Sequence, residues 1–228
     1  MNETIPRALA DVKARIAAAA RAAGRPEGAV SLLAVSKTFP ADAVRAAHAA
    51  GQTAFGENYV QELVDKTSTL AELPLEWHFI GPLQSNKTRP VAERAAWVHS
   101  VDRLKIAERL SAQRPDALPP LNVCVQVNVS AEASKSGVAP GEAVALARAV
   151  AALPRLRLRG LMCIPEPTDD ASRLAEQFAT LRRLLEQLNA EGLALDTLSM
   201  GMSADLEPAI AEGATLVRVG SAIFGART

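Results

Sequence analysis

Apolar positions along this chain switch between two periods. Over residues 4–23, Ile5, Leu9, Val12 and Ile16 recur at helical spacing, with Pro6 in a first turn and Gly24 as a stop. The next run, Ser31-Leu32-Leu33-Ala34-Val35-Ser36-Lys37, is continuously apolar until it ends in a lysine, which predicts a strand buried on both faces. Pro40 then opens a helix through Ala50. Strand two is predicted at 53–55, with a helix from Gly56-Glu57-Asn58 to Leu70. Strand three follows at 77–80, a short helix at 84–93 and strand four at 96–100, after which Asp102 is placed to cap a helix ending at Gln113. Residues 121–129 read as the fifth and longest strand, residues 141–152 as a helix and residues 156–163 as strand six. The helix at 171–190 carries Leu174, Phe178, Leu181, Leu185 and Leu188 on one face, with Gly192 as its stop. Strand seven is predicted at 197–200, followed by a short helix capped by Ser203 with Asp205 in its first turn. Strand eight is predicted at 215–219, and Gly220-Ser221 lead into a last helical turn.

Strand then helix, eight times after one extra helix, predicts an α/β fold: a (β/α)8 TIM-type barrel with an extra N-terminal helix. No linker or composition shift interrupts the chain, so residues 1–228 are expected to form one domain. An open doubly wound sheet is the alternative, and it is disfavoured by the lack of GxGxxG after strand one.

Composition narrows the function classes. With Lys+Arg 25 against Asp+Glu 25, the chain lacks the basic excess that sequence-independent nucleic-acid binding needs. No apolar run suits a bilayer span and no secretion signal precedes the first helix, so a cytoplasmic protein is expected. Cys124 and Cys163 lie in apolar runs and read as buried thiols. His48, His78 and His99 have no metal-ligand spacing, so no metal is expected.

The expected chemistry sits at strand ends, because barrel sites form at the C-terminal ends of strands. Lys37 is either a surface lysine or an amine kept reactive by low-dielectric surroundings. Ser203, Gly220 and Ser221 begin the segments after strands seven and eight, where barrels often bind phosphate; the serines also read as plain caps. Arg218, inside Val217-Arg218-Val219, needs a partner or a ligand. Alternation turns it into the barrel mouth, with an internal salt bridge as the other reading. An amine across the barrel from two anion-ready turns suggests a phosphorylated carbonyl ligand. Asn58 and His78 are weaker candidates, and Lys135 reads as a solvated loop lysine or an auxiliary amine.

The stretches that carry these residues are Leu33–Lys37, Phe55–Glu62, Trp77–Lys87, Ser134–Gly137, Ser199–Asp205 and Val217–Gly225. Together they closely resemble the pyridoxal phosphate homeostasis proteins, single-domain relatives of the alanine racemase N-terminal barrel. The resemblance implies pyridoxal 5′-phosphate as cofactor, with Lys37 forming the internal aldimine. It further implies that Ser203 and the backbone of Gly220 and Ser221 hold the phosphate and that Arg218 faces the pyridine nitrogen. Asn58, His78 and Met200 would line the cofactor. It implies binding and vitamin B6 homeostasis without robust turnover, and acceptor apoenzymes as receiving partners.

An arginine at the ring nitrogen leaves a poor electron sink, which agrees with that reading. The chain stops after strand eight with no second domain to supply a catalytic tyrosine, so a monomer is expected. A pyridoxal-phosphate-dependent amino-acid racemase is the alternative, and a cofactor-free Schiff-base aldolase is a third.

Overall fold

In the computed structural model, which describes residues 4–130 and 136–226, eight parallel strands close into a barrel in the order β1-β2-β3-β4-β5-β6-β7-β8. The strands are β1 Ser31–Val35, β2 Ala54–Glu57, β3 Glu76–Phe79, β4 Trp97–Val101, β5 Leu121–Gln126, β6 Leu156–Met162, β7 Thr197–Ser199 and β8 Leu216–Val219. The helices are α1 Thr4–Ala22, α2 Ala41–Ala49, α3 Val60–Thr69, α4 Thr88–Arg94, α5 Leu104–Gln113, α6 Pro140–Ala151, α7 Ala171–Ala190, α8 Leu206–Ala211 and α9 Ser221–Phe224. A 3-10 turn at Ser85–Lys87 precedes α4. The predicted fold class is what forms, extra N-terminal helix included. Lys135 lies outside the described residues.

Strand alternation sorts side chains into two apolar layers. Outward residues such as Ala34, Phe55, Trp77, Val98, Leu198 and Val217 pack with the buried faces of the helices, including Leu9 and Val12 of α1. Inward residues form separate clusters, Leu33, Val35, Ile80 and Leu216 in one and Trp97, Cys124 and Met162 in the other. Burial pushes both cysteine thiols up to about 12, so Cys124 and Cys163 are inert buried thiols.

Four sequence expectations shift. β1 ends at Val35, so Lys37 lies beyond the strand in a turn. β6, with 7 residues, is longer than β5, with 6, because the chain past Gln126 bonds to its own returning loop. There the Asn128 N–H donates to Val138 O at 2.9 Å and the Val138 N–H to Gln126 O at 2.9 Å. Arg103, not Asp102, takes the N-cap position of α5, and the Asp102 carboxylate pairs with the Arg103 guanidinium at 2.7 Å. Asp205, not Ser203, stands at the N-cap of α8, with its carboxylate turned back to accept the Met202 N–H at 2.6 Å.

One close approach depends on a missing side chain. A Cβ on Gly160 in β6 would lie 1.8 Å from the Thr197 carbonyl oxygen of β7. Gly160→Ala must therefore push the two strands apart. We expect a loss of at least about 1–3 kcal/mol, read as a lower urea midpoint. An unchanged midpoint would refute the contact.

Candidate functional site

The C-terminal mouth is built around a strained turn. Ser36 O accepts the Phe39 N–H at 3.0 Å, which places Lys37 and Thr38 at the two central positions. Thr38 has φ 67°, the left-handed region that a β-branched residue rarely enters. Something must hold it there, and a buried ionic cluster does. Lys66 of α3 donates through Nζ to Ser36 O at 2.8 Å, Glu57 Oε1 at 2.7 Å and Glu62 Oε2 at 3.0 Å. Ser36 Oγ donates to Glu57 Oε1 at 2.6 Å, and Glu62 Oε2 accepts the Thr38 N–H at 2.8 Å. Both neighbours of Lys37 are thus tied to the same cluster, while Lys37 itself stays partly exposed.

Burial pushes the Glu57 carboxyl from 4.5 up to about 7, against the pull of Lys66 and the Ser36 hydroxyl. Its Oε2 is buried and has no hydrogen-bond partner among the described residues, so it offers a place for the proton. A carboxyl raised on folding adds stability that is complete below its unfolded value and lost as pH rises through its folded one. The advantage of the wild type over Glu57→Gln should therefore shrink as pH climbs from 4.5 to about 7, measured as urea midpoints. A gap that widens over that window would have the wrong sign.

Around the turn stand the other mouth residues. β8 pairs with β1, with Ala34 beside Val219, so the turns after β8 and β1 are neighbours. Lys37 therefore lies beside the β8 turn, not across the barrel from it as expected. The rings of Phe39 and Phe224 lie 5.3 Å apart, tilted by 32°, and join the two turns. Gly220 leads into α9 against Val35, whose carbonyl oxygen would sit 3.1 Å from any added Cβ. Ser203, on the loop after β7, and Ser221 bring their hydroxyls within 3.3 Å of each other. Asn58 follows β2 directly, and its Oδ1 is buried without a hydrogen-bond partner among the described residues.

Arg218 points inward from β8 and is 4% exposed. Its Nη1 donates to Ser199 O at 2.7 Å and Ser199 Oγ at 2.8 Å, and its Nη2 donates to Cys163 O at 2.8 Å. Among the described residues, carbonyls at the ends of β6 and β7 and the Ser199 hydroxyl, not a carboxylate, hold this charge.

Two expected site residues lie elsewhere. Met200 is fully buried in the layer between sheet and helices, because Ser199 takes the inward position. His78 is paired in register with Trp97, the first residue of β4, and lines a cavity of 780 Å³ at the N-terminal end of the barrel. It is stacked on Trp97 at 5.3 Å and 1% exposed, inside the barrel although only Phe79 follows it in β3. Sequence reasoning missed Lys66, Glu62 and the anchoring role of Ser36. The one signal was the i, i+4 pair Glu62–Lys66 on a predicted helix.

The arrangement offers an amine on a pinned turn, two converging hydroxyls, a helix start, a buried cation and an orphaned amide oxygen. These groups fit a small phosphorylated aldehyde with a polar ring. Among the described residues no group of acidic, histidine or cysteine side chains could hold a metal, and no helix is long and apolar enough to cross a membrane.

Residues 8–228 match the family described as alanine racemase, N-terminal domain. The pyridoxal phosphate homeostasis protein of Pseudomonas aeruginosa is 67% identical over 224 residues, covering 98% of this chain and 96% of the relative. The protein of the same name from Escherichia coli is 55% identical over 230 residues, covering 100% and 98%. The structure of PipY from Synechococcus elongatus, described as having PLP bound, superposes with a TM-score of 0.82 at 40% identity, covering 92% of this chain and 100% of PipY. A barrel of this topology, matched over its length at these identities, belongs to the pyridoxal phosphate homeostasis proteins within the alanine racemase N-terminal domain family.

Proposed function

We propose that residues 1–228 act as one domain that binds pyridoxal 5′-phosphate on Lys37 in vitamin B6 homeostasis. The observation that carries this reading is the pinned Lys37 turn after β1, next to β8, whose following turn holds Ser221 within 3.3 Å of Ser203. The names of the relatives and the PLP in PipY support it. The cofactor supplies an aldehyde that an amine can hold covalently with loss of water. Ser203, Ser221 and the backbone of Gly220 and Ser221 would take the phosphate. Arg218 would stand at the pyridine nitrogen, and the orphaned Asn58 Oδ1 would meet the ring side.

Holding rather than turnover follows from the residues. A guanidinium at the ring nitrogen keeps it unprotonated and withholds the electron sink that carbanion chemistry needs. Racemisation needs an acid or base on each face, and Tyr59 is 55% exposed at the start of α3, turned to solvent. The protein works as a cytoplasmic monomer that keeps the free aldehyde low and passes it to acceptor apoenzymes.

The test is covalent. The chain mixed with pyridoxal phosphate should develop a visible band, and borohydride should fix the adduct on the peptide containing Lys37. Lys37→Ala should lose band and adduct together. An adduct retained in that variant sinks the assignment, and a chain that stays colourless with added cofactor points to a cofactor-free aldolase.

A further inference from the structure

A line of polar side chains crosses the apolar interior of the barrel. Arg218 Nη1 contacts Ser199 Oγ at 2.8 Å, Ser199 Oγ contacts His99 Nδ1 at 2.8 Å, and His99 Nε2 contacts His78 Nδ1 at 2.8 Å. His78 Nε2 contacts Glu76 Oε1 at 2.9 Å. His78, His99 and Ser199 are each at most 1% exposed, whereas the Glu76 side chain is 52% exposed and lines the N-terminal cavity.

The chemistry of the two ends fixes every proton between them. A guanidinium can only donate, so Ser199 Oγ accepts from Arg218. Glu76 can only accept while ionised, and the bond from His78 holds its carboxyl below the usual range. His78 must then carry its proton on Nε2 and accept at Nδ1. His99 must do the same, and the Ser199 hydroxyl must donate to His99 Nδ1. Burial keeps both rings neutral, with His99 held well below 6.5 by burial and by the adjoining His78 and Arg218. All four bonds run one way, from Arg218 to Glu76. Trp97 is stacked on His78 and also carries the Arg159 guanidinium 4.7 Å from its ring centre, so the lower end is packed against an aromatic ring.

We propose that Glu76, His78 and His99 are positioning residues for Arg218, joined to it by a one-way hydrogen-bond relay that reports the N-terminal cavity to the C-terminal mouth. They fix the direction of the Ser199 hydroxyl and so the plane in which Arg218 presents its remaining donors. The effect on cofactor rests on the reading of Arg218 given above, whereas the relay itself does not.

Two measurements separate these. In the full chain without cofactor, nitrogen NMR of ¹⁵N-histidine should show His78 and His99 as neutral Nε2–H tautomers at pH 7. In Glu76→Leu, which alters an exposed side chain, both signals should move toward a tautomer mixture. A protonated or Nδ1–H ring in the wild type, or unchanged rings in the variant, overturns the relay. With pyridoxal phosphate added, Glu76→Leu should shift the absorption maximum of the adduct and weaken binding about fivefold, the size of one hydrogen bond. Glu27→Gln, in the same cavity but off the relay, should match the wild type. If both variants bind alike with the same spectrum, the coupling is refuted. A wild type that forms no adduct refutes the cofactor reading, and the ring tautomers then decide the relay.

Discussion

Lys66→Met should lower stability by about 3–5 kcal/mol well above pH 7, where it strands a buried carboxylate, and by less at lower pH, where Glu57 takes up a proton. The Lys66 side chain is 7% exposed and that of Glu57 is 0% exposed. Removing the ammonium leaves Glu57 with the Ser36 hydroxyl alone on Oε1 and still nothing on Oε2. It also removes a donor from Ser36 O and the second contact of Glu62. The double variant Lys66→Met/Glu57→Gln removes both charges and should recover a large part of the loss, since a buried pair replaced whole costs far less than one broken. Urea midpoints of the four proteins give the coupling. The same variants report on function, because Ser36 and Thr38 flank Lys37 and Thr38 is held at a φ worth about 1–3 kcal/mol of strain. With the tie cut, the turn relaxes and the Lys37 adduct should form about tenfold less readily. A single variant that loses no more than about 0.5 kcal/mol, as a surface substitution does, would show that the ammonium is not the anchor.

Periodicity alone carried the architecture. The apolar stripe of α7 reads from the sequence to its last residue, since Leu174, Phe178, Leu181, Leu185 and Leu188 mark one face and Asp170 accepts the Ser172 and Arg173 N–H groups as a true cap. Other caps misled, because a residue of capping type can find a nearer partner, as Asp102 does with Arg103. The mouth residues Lys37, Ser203, Gly220 and Ser221 were legible because each follows a strand whose end the chain marks with a break in hydrophobicity. His78 was misplaced for a physical reason. Closing a barrel staggers neighbouring strands, so residue heights depend on the shear between strands, which no single strand's pattern records. The partnership of His99 with Ser199 spans 100 residues, and the bonds of Arg218 span 19 and 55. Contacts of that separation leave no local periodicity. The buried Lys66 was hidden by its type, since a lysine on an amphipathic helix ordinarily marks the solvent face.

Arg218→Leu should cost about 2–5 kcal/mol and remove most of the cofactor affinity, and the two losses have different origins. The stability loss comes from acceptors: Ser199 O and Cys163 O lose the charged donor that satisfies them inside the barrel, at about 1–3 kcal/mol each. The leucine recovers part of this by filling apolar space beside Leu33, its register partner in β1 and a member of the inward cluster. Arg218→Lys is the informative companion. It keeps a positive charge, but a single ammonium cannot reproduce the fork that reaches Ser199 and Cys163 from two nitrogens. If charge alone holds the site, the lysine variant should behave as wild type. If the fork matters, it should fall between wild type and leucine in urea midpoint, and its adduct spectrum should shift because the ring nitrogen meets a different donor. An Arg218→Leu protein with wild-type midpoint and wild-type cofactor affinity would remove Arg218 from both the fold and the site, and would leave the buried guanidinium without a reason to be there.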